Sequence, residues 1–121
     1  MRITVALAVI CLASTVQAAT PDWQRVQLDV RFRSEGVAIA DINKDGRNDI
    51  VAGDVWYEAP DWTIHEIRPA GNFPVAQGYS QSFCNWAYDV NGDGLVDIAL
   101  SNKKGVNLLL QKKPGAGVAA K

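Results

Sequence analysis

Two acidic segments of this chain carry oxygen-bearing side chains at the same spacing, and they begin 48 positions apart. Each segment has Asp or Asn at its first, third, fifth and ninth positions and glycine at its sixth. Oxygens at this spacing can converge on one cation when the chain folds around it, and calcium takes about six to eight oxygen ligands in proteins. We call residues 41–49 the first loop and residues 89–97 the second loop. Their candidate side-chain ligands are Asp41, Asn43, Asp45 and Asp49 in the first loop, and Asp89, Asn91, Asp93 and Asp97 in the second.

The seventh position of each loop is expected to add a main-chain carbonyl, from Arg47 in the first loop and Leu95 in the second. Gly46 and Gly94 allow the sharp turn because glycine takes a positive φ without a steric penalty. Without a cation, close carboxylates repel by roughly 1 kcal/mol per pair at about 4 Å in water. The spacing therefore predicts two structural Ca²⁺ sites of the weak extracellular type, with dissociation constants of roughly 10⁻⁴ to 10⁻³ M. The alternative is a pair of Asn-, Asp- and Gly-rich turns that hold no ion.

Other metals and other calcium folds suit this pattern less well. Magnesium demands near-octahedral geometry and keeps several waters, and zinc sites are built mainly from clustered His and Cys. An EF-hand needs a bidentate Glu at its twelfth position and a helix on each side. The twelfth positions here are Ala52 and Leu100.

The segments around the loops predict strands. Short apolar runs enter and leave the first loop at residues 36–40 and 50–53, as buried strands do. Residues 26–32 alternate apolar and polar side chains with the period of two that is typical of a half-buried strand. Residues 54–58 and 62–67 flank a proline-containing turn and predict two strands of a meander. Because no segment has a helical period, the predicted fold class is all-β.

Few other residues suggest chemistry. His65 is the only histidine, and a packed or surface position in a strand is the expectation for it. Cys84 has no histidine nearby in the sequence and is expected to be buried as a small hydrophobic residue rather than to act as a nucleophile. Four carboxylates could in principle form a glycosidase pair, but solvated strand or turn positions are expected for each. These carboxylates are Asp54, Glu58, Asp61 and Glu66.

Six aromatic side chains form a further candidate set. They could make a platform on which sugars stack, but core packing and packing between repeats are the favoured interpretation because large aromatic side chains dominate burial in small domains. The set is Trp23, Trp56, Trp62, Trp86, Tyr57 and Tyr88.

The ends and the bulk composition indicate an exported, small protein. Residues 1–18 have the basic start, apolar run and small-residue cleavage site of a signal peptide. The predicted location is therefore secreted, periplasmic or at the cell surface, with no membrane span. Residues 19–111 are expected to form the repeat region, and residues 112–121 are expected to be disordered because they are rich in Pro, Gly and Ala.

A net charge of −1, with 6 of the 13 acidic residues in the loops, offers no basic surface for nucleic acid.

On these motifs the chain resembles the FG-GAP/VCBS repeat family, the integrin-α-like type of calcium-binding β-propeller repeat. The resemblance implies two four-stranded, blade-like repeats in which each acidic loop is a hairpin fixed by its ion. Family propellers close with about seven blades, whereas this chain holds two repeats, so an incomplete propeller is expected. The residues that carry the resemblance are Asp41, Asn43, Asp45, Gly46, Asp49, Ile50 and 54–58 in the first repeat, and Asp89, Asn91, Asp93, Gly94, Asp97, Ile98, Gly105, Val106 and 108–110 in the second.

The resulting functional hypothesis is an exported, non-catalytic, calcium-binding repeat protein. Its surface is expected to recognise protein or carbohydrate, and the resemblance suggests adhesion. Unpaired strand edges invite self-assembly or a complementing chain. The alternatives are the propeller portion of an extracytoplasmic polysaccharide- or sugar-processing enzyme, and a truncated product with no activity of its own.

Overall fold

The computed structural model describes residues 19–113, which form two antiparallel sheets and no helix. The all-β prediction is confirmed. The predicted signal peptide and residues 114–121 of the predicted disordered tail lie outside the described residues. The strands are β1 (Ala38–Ala40), β2 (Asp49–Ala52), β3 (Val55–Glu58), β4 (Thr63–Glu66), β5 (Cys84–Tyr88), β6 (Asp97–Asn102) and β7 (Gly105–Leu109).

The first sheet is a meander in which β1, β2, β3 and β4 pair in chain order. The strands predicted around the first loop and around the proline turn are therefore confirmed. A tight turn at Gly53 and Asp54 joins β2 to β3, and Gly53 has φ +64°. A Cβ atom at this position would lie 2.6 Å from the carbonyl oxygen of Arg33, so any other residue would clash with the backbone.

The second sheet contains three strands, in the order β5, β6 and β7. The four strands expected in each half are present in the first sheet, and the second sheet has only three within the described residues. The fourth strand of the first sheet begins with Thr63 and Ile64, which favour β structure. The chain that follows β7 instead continues through Gln111 and two exposed lysines, which offer no apolar face to the sheet.

The two sheets pack face to face. Val51 from the first sheet, Ile98 from the second and Ile42 from the first loop form one buried cluster between them. Successive strand residues point to opposite faces, so Val55 and Tyr57 pack on the other side of the first sheet. Leu28 partly covers this second cluster. The first sheet therefore has apolar packing on both of its faces.

Residues 26–32 do not form the predicted strand. Val26 and Val30 are exposed, and the segment makes only an isolated bridge between Phe32 and Phe73. The Oδ1 atom of Asp29 accepts hydrogen bonds from the amides of Val30 and Arg31 at 2.7 and 2.9 Å. This local capping competes with strand pairing, because it uses the amides that a ladder would need.

The outer face of the second sheet is apolar and uncovered among the described residues. Register places Trp86 of β5, Ala99 of β6 and Leu108 of β7 in one row on this face. The exposed fractions are 55% for Trp86, 74% for Tyr88 and 76% for Val106. We call Trp86, Tyr88, Val106 and Leu108 the outer face.

The expectation that the aromatic side chains pack in the core is therefore only partly met. It is confirmed for Tyr57, which is buried, and Trp56 and Trp62 are half-buried. It is wrong for Trp86 and Tyr88, because no described segment packs on the outer face. It is also wrong for Trp23, which is 87% exposed in a segment without strand structure.

Candidate functional site

Each acidic loop connects two paired strands of a sheet. The first loop joins β1 to β2, and the second joins β5 to β6. Ala40 pairs with Asp49 at the base of the first loop, and Tyr88 pairs with Asp97 at the base of the second. The two loops therefore occupy the same place in the two sheets, as hairpin connections whose ninth residue begins the second strand.

The first loop folds around the carboxylate of its first residue. Oδ1 of Asp41 accepts from the amide of Asp45 at 3.0 Å, and Oδ2 accepts from the amide of Gly46 at 2.9 Å. Oδ1 of Asn43 accepts from the amide of Asp45 at 3.1 Å. Oδ1 of Asp45 accepts from the amide of Arg47 at 2.8 Å. Positions one, three and five are therefore drawn together by one set of hydrogen bonds.

The second loop repeats this pattern position by position. Oδ1 of Asp89 accepts from the amide of Asp93 at 3.1 Å, and Oδ2 accepts from the amide of Gly94 at 2.8 Å. Oδ1 of Asn91 accepts from the amide of Asp93 at 2.9 Å, and Oδ1 of Asp93 accepts from the amide of Leu95 at 2.8 Å. Gly94 has φ +84°, close to the φ of +88° at the sixth position of the first loop.

The ninth residue of each loop is a buried brace. Asp49 and Asp97 are both fully buried, and each carboxylate accepts two main-chain hydrogen bonds. One donor is the second residue of the loop, and the other follows the next strand, so the carboxylate ties the loop to its sheet. Sequence reasoning assigned these residues as ligands and missed this bracing role. The donors, at 2.9 to 3.0 Å, are Ile42 and Ala59 for Asp49, and Val90 and Gln111 for Asp97.

The donor set suits a hard cation. A carboxylate oxygen has two lone pairs, so an oxygen that accepts one amide hydrogen bond can still bind a cation. Side-chain and main-chain oxygens are the ligands that calcium prefers. Within residues 19–113, no group of three or more His, Cys, Asp or Glu side chains forms an arrangement that could hold a metal ion. The three predicted carboxylates of each loop therefore do not converge as such a group in this structure, and the predicted set also draws on the amides of Asn43 and Asn91 and the carbonyls of Arg47 and Leu95.

Gln111 links the two loops. Its amide donates to Asp97, and its side-chain Oε1 accepts from the amide of Val96 at 3.1 Å. Its Nε2 donates to the carbonyl of Ile42 in the first loop at 3.2 Å. Because 69 positions separate Gln111 from Ile42, no local sequence signal could have identified this contact.

A second polar network lies beside the first loop. Nδ2 of Asn43 donates to Oε1 of Glu58 at 2.8 Å, and Oε2 of Glu58 lies 2.6 Å from Nε2 of His65. The His65 ring stacks on Trp56, with 4.4 Å between the ring centroids. The strand position predicted for His65 is confirmed. Glu58 is a strand residue, as predicted, but its contact with the first loop was not predicted.

A largely buried ion pair lies under the first sheet, away from the loops. Nε of Arg33 donates to Oδ2 of Asp29 at 2.7 Å, and the Tyr57 hydroxyl donates to the same oxygen at 3.2 Å. Burial disfavours the charged form of Asp29, but hydrogen bonds from Arg31, Arg33 and Val30 outweigh it and hold the pKa of Asp29 below its ordinary value. Burial and the negative charge of Asp29 raise the pKa of Tyr57.

Two further expectations are wrong. Cys84 is exposed rather than buried, because it begins β5 on the face of the second sheet that none of the residues 19–113 covers. Asp54 is buried rather than solvated, and its carboxylate accepts from Nε of Arg68 at 2.6 Å and from the amide of Gly71 at 3.0 Å. Asp54 therefore holds the chain that follows β4 against the turn between β2 and β3.

Comparison with known proteins does not extend these observations. No family model, no curated protein and no solved structure matches this chain. None of the described residues belongs to a helix long and apolar enough to cross a membrane.

Proposed function

We propose that this chain is an exported, non-catalytic, calcium-binding repeat protein of the FG-GAP/VCBS type that presents a recognition surface for protein or carbohydrate. The observation that carries the calcium part is the repetition of one hydrogen-bond pattern in two loops at the same place in two sheets. Turns that are rich in Asn, Asp and Gly form for many reasons. The recurrence of the same acceptors at positions one, three, five and nine favours a shared ligand.

The residues that would hold the ion are the ten predicted ligands. Side-chain oxygens come from positions one, three, five and nine, and carbonyls come from Arg47 and Leu95. A bound calcium ion would supply positive charge that offsets the repulsion among the three carboxylates of each loop. Its role in this proposal is structural, because it would fix hairpins whose ends are already braced by Asp49 and Asp97.

The outer face supports the recognition part of the proposal. It combines two exposed aromatic side chains with exposed aliphatic ones on a sheet, and contiguous exposed apolar surface is typical of interaction sites. Trp86 and Tyr88 lie two positions apart on β5 and point to the same side. They could stack on a sugar ring or pack against a protein surface.

Thermal unfolding in calcium and in chelator tests the proposal. A ligand that binds only the folded state stabilises it by mass action, by about 2.7 kcal/mol when its concentration is about 100 times the dissociation constant. We expect millimolar calcium to raise the melting temperature of the wild type, and Asp45→Ala and Asp93→Ala each to lose part of that increase.

The exposed Asp61, which lies outside both loops, provides a matched control, and Asp61→Ala should retain the full calcium response. Equal melting temperatures with and without calcium in the wild type would contradict the calcium proposal. Polysaccharide hydrolysis that survives disruption of both loops would contradict the non-catalytic one.

A further inference from the structure

The two loops differ in how the side-chain amide of their third residue is held. Nδ2 of Asn43 donates outside its loop, to Glu58 at the end of β3. Nδ2 of Asn91 turns back into its own loop and donates to Oδ2 of Asp93 at 3.1 Å. The loops share the four main-chain hydrogen bonds described above and differ in this side-chain contact. The second loop also has an additional bond, from the amide of Gly92 to Oδ1 of Asp89 at 2.8 Å.

Glu58 is held in place by its surroundings. Its Oε1 accepts from Asn43, and its Oε2 lies 2.6 Å from Nε2 of His65, so both carboxylate oxygens have partners. His65 belongs to β4, which pairs with β3, and its ring stacks on Trp56. A strand side chain with one carboxylate oxygen held from the paired strand can present its other oxygen as a firm support for a ligand on a loop.

We propose that Glu58 is a positioning residue for calcium at the first loop, an inference that rests on the proposed function. An Asn side chain presents an oxygen on one side and an NH₂ group on the other. By holding Nδ2 of Asn43, Glu58 fixes Oδ1 toward the interior of the loop, where it accepts from the amide of Asp45 at 3.1 Å.

The second loop lacks this support. The Oδ2 atom at position five has a side-chain partner in both loops, because Asp45 accepts from Nη1 of Arg47 at 3.5 Å and Asp93 accepts from Nδ2 of Asn91 at 3.1 Å. The difference between the loops is the hold of Glu58 on Asn43, and it makes the first loop the tighter of the two calcium sites. Groups that orient a metal ligand from outside the ligand shell typically contribute about 10- to 100-fold in affinity.

A calcium titration followed by NMR resolves the two loops. The amides of Gly46 and Gly94 donate to the first carboxylate of their respective loops and report each site separately. We expect Glu58→Ala to weaken calcium binding at Gly46 by about tenfold and to leave binding at Gly94 unchanged. Glu58→Gln should recover most of the affinity, because its Oε1 can still accept from Asn43.

The controls separate positioning from charge. If the negative charge of Glu58 acted alone, Glu58→Gln would lose as much affinity as Glu58→Ala, and that result would overturn the inference. Glu66→Ala removes a carboxylate from the neighbouring strand and should leave both loops unchanged. In an Asn43→Ala background, Glu58→Ala should add no further loss, and a full additional loss would also overturn the inference.

Failure of this inference is distinct from failure of the proposed function. If neither glycine amide of the wild type responds to calcium, the proposed function is wrong. If both amides respond and Glu58→Ala leaves the calcium affinity of the first loop unchanged, only the positioning role is wrong. Should Glu58→Ala not fold, His65→Ala frees one oxygen of Glu58 and is expected to weaken calcium binding at the first loop alone. An unchanged calcium affinity at the first loop in that variant would count against the inference in the same way.

Discussion

At the scale of single residues, the carboxylates of this chain perform two kinds of work. Those at positions one and five of the loops are partly or fully exposed and organise the turns, whereas Asp29, Asp49 and Asp97 are buried or nearly so and hold segments together. Composition cannot separate the two kinds, because the same residue type serves both. Their surroundings separate them, since a buried carboxylate is stable only where donors surround it.

The Asp29, Arg33 and Tyr57 cluster should make stability depend on pH at both extremes. The pKa of Asp29 is lowered in the folded state, so its contribution is present above its ordinary pKa and is lost as the pH falls through the lower, folded value. The pKa of Tyr57 is raised, so its contribution is present below about pH 10 and is lost as the pH rises through the folded value.

The acid limb is testable with one substitution. We expect the urea concentration at the unfolding midpoint of the wild type to decrease as the pH is lowered past about 4. The Asp29→Asn variant should show a smaller decrease, because it has no carboxylate to protonate at this position. Asp29→Asn should also be less stable than the wild type at neutral pH, since it leaves the buried Arg33 without its counter-charge. Asp22→Asn, which alters an exposed carboxylate of the same segment, should follow the wild-type curve. Parallel curves for all three proteins would show that the ion pair contributes nothing to acid sensitivity.

At the scale of elements, each loop is fastened to its sheet by a single carboxylate. Asp49 connects the first loop to Ala59, which follows β3, and Asp97 connects the second loop to Gln111, two residues beyond the end of β7. The second connection extends further, because Gln111 also contacts the carbonyl of Ile42 in the first loop. The two hairpins therefore share a hydrogen-bonded support as well as the apolar contact between Val51 and Ile98.

Loss of either brace should destabilise the protein without any involvement of calcium. We expect Asp49→Asn and Asp97→Asn each to lower the free energy of unfolding by about 1–3 kcal/mol in chelator, because the new NH₂ group faces a buried amide donor. Asp45→Asn, the same substitution at an exposed position of the first loop, should change it by no more than about 0.5 kcal/mol. Urea unfolding measures all three. A brace variant as stable as Asp45→Asn in chelator would leave Asp49 and Asp97 with no bracing role.

Local patterns predicted the elements that depend on local sequence. The strands around the first loop followed from short apolar runs, whereas the hairpin position of both loops was an expectation from the family resemblance. The failures lie where long-range contacts decide. Within the described part of the chain, residues 26–32 alternate like a strand but have no neighbouring strand, and Cys84 is exposed because no described segment packs on its face. The contact between Glu58 and Asn43 spans 15 positions, too far for loop spacing to reveal.

At the scale of the whole molecule, the two sheets are unequally covered. The first sheet packs against the second on one face and is partly covered by Leu28 on the other. Among the described residues, the second sheet packs only on its inner face, and its outer face is exposed. In head-to-tail stacking, the outer face of one copy would have to pack on the face of the first sheet that lies away from the second sheet, and Leu28 and Trp62 already contact that face. Self-association should therefore pair two outer faces and stop at a dimer, since an isologous contact closes on itself.

Sedimentation equilibrium across a range of protein concentrations tests this arrangement. We expect the wild type to approach dimer mass as its concentration rises, because burial of apolar surface drives association. Trp86→Ser combined with Leu108→Ser should remain a monomer at every concentration. Val26→Ser combined with Val30→Ser removes exposed apolar side chains that lie outside the strands of both sheets, and this variant should associate as the wild type does. If the wild type is monomeric throughout, the outer face serves another partner or none. If the Trp86 and Leu108 variant still dimerises, the contact lies elsewhere, and the unpaired edge of β7 becomes the surface to examine.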